Sequence, residues 1–133
     1  MKKLLGTIAL AVIAATGPAA AQDYPDQAVT LVVPYGPGGA SDLAGRALAE
    51  TAQPYLGQPV TVMNKPGAGG MNGARSVSEA DADGYTLLLA RVGMALSPAV
   101  TPGNAVPWDA YTFLGALEAT PMILAVRADA PYD

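Results

Sequence analysis

The sequence predicts an α/β fold built on a mainly parallel sheet. Three observations carry that prediction. Apolar runs rich in β-branched or aliphatic residues begin near residues 29, 60 and 85. That spacing, about 30 residues, is the length of one strand–helix–strand unit. The first two runs hand over to glycine-rich loops, Tyr35 to Asp42 and Lys65 to Gly73. A stretch of helical periodicity follows the first loop, so elements of period two and period 3.6 alternate along the chain.

The chain begins with Lys2 and Lys3, continues through an uncharged apolar stretch from Leu4 to Ala15, and reaches Ala19-Ala20-Ala21. A basic start, a short apolar centre and a small-x-small end form an export signal, with cleavage expected after Ala21. The apolar stretch falls short of the ~20 residues that a spanning helix needs, and Gly17-Pro18 interrupts it. Residues 1–21 are therefore expected to be a signal peptide, with no direct membrane insertion after cleavage. The absence of cysteine excludes a lipid anchor on a mature N-terminal cysteine.

After a polar lead-in containing Pro25, Val29 to Val33 reads as a strand buried on both faces, and Pro34 ends it. Ser41 or Asp42 is expected to cap the next helix. Leu43, Ala47, Leu48, Ala52 and Tyr55 give it an apolar stripe, and Gly57 closes it. Val60 to Met63 is the second strand, and Ala74 to Ala80 a brief helix after the second loop. Asp83-Gly84 marks a turn in which Asp81 and Asp83 are solvated. Tyr85 to Ala90 is the third strand, with Arg91-Val92-Gly93-Met94 as its exit loop. Prolines at 98, 102 and 107 then suggest a loop-rich stretch, followed by two further strands at Phe113 to Leu117 and Met122 to Val126. Trp108, Tyr111 and Phe113 suit either a pocket wall or the core.

Removing the signal leaves five basic residues against 11 acidic ones, a net charge of −6. That charge argues against nucleic acid and against an anionic membrane surface. Neither histidine nor cysteine occurs, which removes Ser-His-Asp and Cys-His catalysis and the usual zinc sites. No metal and no cofactor is expected. At 51% hydrophobic and 14% charged, the chain is globular in composition.

The loops carry the chemistry. Glycine lets backbone amides approach a ligand closely, and a helix N-terminus just beyond adds unpaired donors and partial positive charge. Right-handed crossovers put successive strand exits on one sheet edge, where open α/β sheets bind ligands. Both loops miss the Gly-x-Gly-x-x-Gly fingerprint, because Ser41 and Asn72 stand where the third glycine belongs. Neither a P-loop nor a Gly-x-Ser-x-Gly elbow is present. The pattern points to a small anion; the same glycines also suit plain tight turns. Asp42 fits a role in capping the helix and holding the loop. Lys65 and Arg91 stand at strand exits, either as a locally positive mouth or as ordinary surface charges.

Taken together, Tyr24-Pro25, the run from Val29 through Pro34-Tyr35-Gly36-Pro37-Gly38-Gly39-Ala40-Ser41-Asp42, and Leu56-Gly57-Gln58-Pro59-Val60 resemble the solute-binding proteins of tripartite tricarboxylate transporters, the TctC or Bug family. Asn64-Lys65-Pro66-Gly67-Ala68-Gly69-Gly70 and Asp83-Gly84-Tyr85-Thr86-Leu87-Leu88 continue the resemblance. It implies part of a two-lobed, type II flytrap protein of the periplasm, which captures a small carboxylate and delivers it to membrane permease subunits. Under it, residues 22–120 form the N-terminal part of lobe one, residues 121–133 start the crossover to lobe two, and the chain is truncated. The implied ligand site is Tyr35, Gly36, Pro37, Gly38, Gly39, Ala40, Ser41 and Asp42, then Ala68, Gly69 and Gly70, then Arg91, Val92, Gly93 and Met94. Members of the family carry small or hydroxylated residues after the third strand, where this chain has Arg91 to Met94. Rival readings are a periplasmic sensor or adaptor using the same lobe, a phosphate- or nucleotide-using enzyme, and a broken reading frame with no function.

Overall fold

The computed structural model describes residues 24–100, 103, 106–119, 123 and 125–129. The expected signal peptide lies outside the described residues. Strands β1 (Val29–Val33), β2 (Val60–Asn64) and β3 (Thr86–Leu88) alternate with helices α1 (Ala40–Leu56), α2 (Met71–Ser78) and α3 (Val92–Val100). Short 3-10 turns occupy Ala68–Gly70 and Trp108–Ala110.

The three strands form one parallel sheet in the order β2-β1-β3. β1 is central, with Val29 beside Val60 and Val33 beside Asn64 on one side, and Thr30 beside Thr86 on the other. Central placement explains its composition: Val29, Leu31, Val32 and Val33 are all buried. Burying each contributes roughly 1.5–3 kcal/mol relative to leaving it exposed.

The chain leaves β1 to one side and then crosses to the other, so its two crossover helices cover opposite faces. Leu31, Val33 and Leu89 share one face by strand periodicity, and Leu48 of α1 packs on them. Leu88 faces the other way and joins Met71 and Ala74 of α2 with Met94 of α3. Each crossover helix approaches the sheet through a glycine. A methyl group on Gly45 would lie 2.9 Å from Val33 Cγ2. One on Gly73 would lie 2.6 Å from Pro34 Cβ and 3.0 Å from the Lys65 carbonyl oxygen.

Several expectations are corrected. The inward face of α1 is Ser41, Asp42, Gly45 and Ala49, whereas Leu43 is 61% and Tyr55 91% exposed. Small residues win that face because a larger side chain at position 45 would hold the helix off the strands. Ser41 and Asp42 lie inside the first turn of α1, and Gly39 is the N-cap residue. The third strand is shorter than expected, ending at Leu88. Val92, Gly93 and Met94 begin α3, so the exit loop shrinks to Leu89–Arg91, and Ser97-Pro98 lies within that helix. Phe113 to Leu117 is irregular and exposed, with Phe113 at 69%, because no neighbouring strand among the described residues offers it a ladder. Of Met122 to Val126, Met122 and Leu124 lie outside the described residues, and Ile123, Ala125 and Val126 are irregular.

Gly57 closes α1 in the left-handed conformation, φ 69°, and its N–H bonds the Gln53 carbonyl. At the strand-entry edge, the Tyr24 hydroxyl donates to the Gly84 carbonyl at 2.8 Å, and its ring lies 5.0 Å from that of Tyr85. Asp83 accepts the Tyr85 N–H at 2.9 Å, which forms the expected turn.

Candidate functional site

Because the strands are parallel, all three exits open on one edge, and a helix starts from each. At the first exit, buried Pro34 stops β1 and the chain turns through Gly36 to Gly39, with Gly38 at φ 81°. The first backbone bond of α1 runs from the Leu43 N–H to the Gly39 carbonyl. The amides of Ala40, Ser41 and Asp42 therefore precede the helical ladder, as the first donors of any helix do.

This loop is held by a buried clasp. One Asp42 oxygen accepts the Gly38 N–H at 2.8 Å, and the other accepts Asn64 Nδ2 at 2.9 Å. Arg46, one turn on, brings Nε and Nη2 to the two oxygens at 3.0 Å each. Asn64 Nδ2 also donates to the Tyr35 carbonyl at 3.1 Å, tying the end of β2 to the loop after β1. The carboxyl of Asp42 is held down to about 2, chiefly by the Arg46 guanidinium, then by the Gly38 amide and Asn64. All the strong donors within its reach stabilise the anion, so Asp42 acts as a strut for the loop.

The second exit is unusual in its backbone. Gly67, Ala68, Gly69 and Gly70 all have positive φ, at 121°, 49°, 65° and 100°. Ala68 is the one non-glycine with positive φ among the described residues. Such a conformation costs of order 1–3 kcal/mol and persists where surroundings over-determine it. Here the Gly70 N–H bonds the Gly67 carbonyl at 2.9 Å, and Asn72 Nδ2 donates to the Pro66 carbonyl at 3.4 Å.

At the third exit, the Met94 N–H returns to the Arg91 carbonyl at 2.9 Å and starts α3. Arg91 Nη2 pairs with the Glu118 carboxylate. Its Nε is buried with no acceptor among the described residues.

The three exits meet at Gly70. A methyl group there would lie 3.3 Å from the Tyr35 hydroxyl and 3.4 Å from both Cγ and Sδ of Met94. Burial pushes the Tyr35 phenol up, and the nearby Arg91 charge pulls it partly back. Tyr35, Gly70, Met94 and Arg91 thus form one cluster across the edge. Gly36, Pro37, Gly38, Gly39 and Ala40 stay exposed beside it, as do Ala68, Gly69, Val92 and Gly93. Ser41 and Asp42 face inward. Lys65 heads the second loop, with its N–H on the Val33 carbonyl. Trp108 and Phe113 stand exposed, while the Tyr111 hydroxyl bonds the Ala74 carbonyl at 2.8 Å behind α2. A shallow depression of about 300 Å³, lined by Glu50, Gln53, Pro54 and Gly57, sits at the opposite edge near the end of α1 and gathers no such donors.

Sequence reasoning passed over Asn64, Arg46 and Glu118. A polar residue ending the apolar run of β2 was the available signal for Asn64, and the i,i+4 spacing that for Arg46. Nothing local marks Glu118, which lies 27 residues beyond its partner.

Comparison with known proteins agrees with this architecture. Residues 44–133 match the family model described as the tripartite tricarboxylate transporter family receptor. Protein BugT of Bordetella pertussis is 41% identical over 108 residues, 75% of this chain and 33% of its own length. A UPF0065 protein of Agrobacterium vitis is 42% identical over 113 residues, 84% of this chain and 33% of its own. Among solved structures, MatC of Rhodopseudomonas palustris with bound malate superposes at a TM-score of 0.59 with 34% identity, covering 62% of this chain and 29% of that one. The periplasmic binding protein BugD superposes at 0.55 with 45% identity, covering 56% and 25%. An R. palustris protein solved with adipate gives 0.52 with 35% identity, covering 53% and 24%. The chain therefore spans about a third of the length of the curated relatives it matches. By family match, identity and parallel α/β architecture, this chain belongs to the tripartite tricarboxylate transporter receptor family.

Proposed function

We propose that this chain is the N-terminal part of lobe one of an extracytoplasmic receptor that captures a small carboxylate for a tripartite tricarboxylate-type transporter. The observation that carries the reading is the meeting of three strand-exit loops at Gly70, each leading into a helix N-terminus on one sheet edge. Orphan amides and aligned peptide dipoles at such termini suit a carboxylate. Relatives solved with malate and adipate support the choice of anion.

In this reading the ligand lies against Tyr35, Gly36, Pro37, Gly38, Gly39 and Ala40, with Ala68, Gly69 and Gly70 opposite and Arg91, Val92, Gly93 and Met94 at the third side. Ser41 contributes its amide; Asp42 contributes its amide and holds the loop. Residues 1–21 act as the export signal, residues 22–120 belong to lobe one, and residues 121–133 lead toward a second lobe that closes over the ligand. The protein works in the periplasm, catalyses no reaction, and hands its cargo to permease subunits.

Thermal unfolding of the protein expressed from its whole reading frame tests this. A bound acid at 100 times its Kd adds about 2.7 kcal/mol of stability, which raises the melting temperature. A panel of di- and tricarboxylic, aromatic and amino acids that leaves the melting temperature unmoved refutes the reading.

A further inference from the structure

Among the described residues Arg46, Arg91 and Arg127 pair with carboxylates, and Arg91 pairs incompletely. Arg46 presents Nε and Nη2 together to Asp42, and Arg127 presents the same two atoms to Asp129. That planar, two-pronged edge matches the spacing of carboxylate oxygens, which is why such pairs are commonly bidentate. Arg91 is different. Its Nη2 meets one oxygen of Glu118, while Nε is buried and meets no acceptor among the described residues. A buried donor without an acceptor is costly to leave so.

The location matters as much as the unpaired donor. Arg91 ends the third exit, one residue before α3, and its charge acts on the Tyr35 phenol beside Gly70 and Met94. Glu118 comes from the irregular segment after the Trp108–Ala110 turn, and its side chain is 42% exposed. Exposed ion pairs hold weakly, and this carboxylate has solvent to swing into.

We propose that the Nε–Nη2 edge of Arg91 receives a carboxylate of the bound ligand in place of Glu118, so that the receptor selects acids carrying two or more carboxylates. This rests on the carboxylate-receptor reading above. The amides of the first two loops hold one carboxylate; Arg91 holds another. Glu118 is an internal stand-in that pairs with the guanidinium and competes with the ligand for it.

Calorimetric titration with malate and with lactate tests the proposal, because these 2-hydroxy acids differ by one carboxylate. The protein is expressed from its whole reading frame as wild type, R91Q, R91K and E118Q, with ligand-free melting curves to establish folding. Wild type is expected to prefer malate. R91Q weakens malate by about tenfold or more, the loss of a charge-assisted bond, and weakens lactate by a smaller factor. R91K restores part of the loss, since it returns the charge without the fork. E118Q tightens malate by removing the competitor. If R91Q binds malate as wild type does, loses both acids equally, or if E118Q fails to tighten malate, the fork proposal falls while the receptor reading stands. A wild type that binds lactate alone overturns the fork too. A wild type that binds no acid of the wider panel overturns both.

Discussion

Replacing Gly73 by alanine tests how the helices and the glycine loops are joined. A methyl group at this position would lie 2.6 Å from Pro34 Cβ, 2.9 Å from Pro34 Cα and 3.0 Å from the Lys65 carbonyl oxygen. Carbon atoms prefer about 3.5–4.0 Å, so the overlap with the proline ring approaches 1 Å. Two of the three obstacles are main chain, in a buried residue and at a strand end, so neither can rotate away. Overpacking of this kind costs about 1–3 kcal/mol. Against it stands the better helix propensity of alanine, up to about 1 kcal/mol. The net expectation is a loss of roughly 1–2 kcal/mol, a fall of about 0.5–1 M in the urea midpoint at a slope near 2 kcal/mol per molar. Gly93→Ala is the control, because a methyl there meets nothing within 4 Å and gains the same propensity in a helix. Its midpoint should hold or rise slightly. Pro34 and Lys65 head the first two glycine loops, so on the proposed carboxylate-receptor reading Gly73→Ala should also weaken malate in a calorimetric titration. A Gly73→Ala midpoint at or above wild type, or an equal fall in Gly93→Ala, refutes the reasoning.

Two further outcomes are expected. The Asp42 carboxyl is lowered from 3.8 to about 2 in the folded protein, so the unfolded chain takes up a proton first as pH falls. Its stabilisation is full above the unfolded value and is lost between about 4 and about 2; urea midpoints measured over that range should show a decline that Asp42→Asn shows less of, and parallel declines count against the clasp. Gly70→Val places a branched side chain at φ 100° beside the Tyr35 hydroxyl and Met94, and should abolish carboxylate binding by calorimetry with the far-UV spectrum kept. Undiminished affinity in a folded Gly70→Val removes the meeting point as the site.

Much of the sheet and both glycine loops were legible because they depend on local rules. Val29 to Val33 is apolar on both faces, as a central parallel strand must be, and Gly57 sits where a left-handed cap is needed. The inward face of α1 was not legible. Periodicity favours Leu43 and Tyr55, but the helix is positioned by how closely Gly45 lets it approach Val33, a contact between distant parts of the chain. The start of α3 was hidden similarly: Gly93 and Pro98 read as breakers, yet Met94 is drawn in by Met71 and Ala74 on the same face of the sheet. At the site, the role of Asp42 as a strut was readable from its place after Gly39. Its partner Asn64 and the pairing of Arg91 with Glu118 were not, since 22 and 27 residues separate them.

The clasp on the first loop has a kinetic and thermodynamic consequence. Gly38, Asp42, Asn64 and Arg46 are bonded to one another through the protein's own groups, so on the receptor reading an arriving solute meets a rim whose shape the protein itself holds. Little chain entropy is then surrendered at that rim upon complexation, and affinity gains from what need not be rigidified. Disrupting Asn64 should therefore show as a less favourable binding entropy, with encounter slowed by a wandering rim, even though its amide need never touch the cargo.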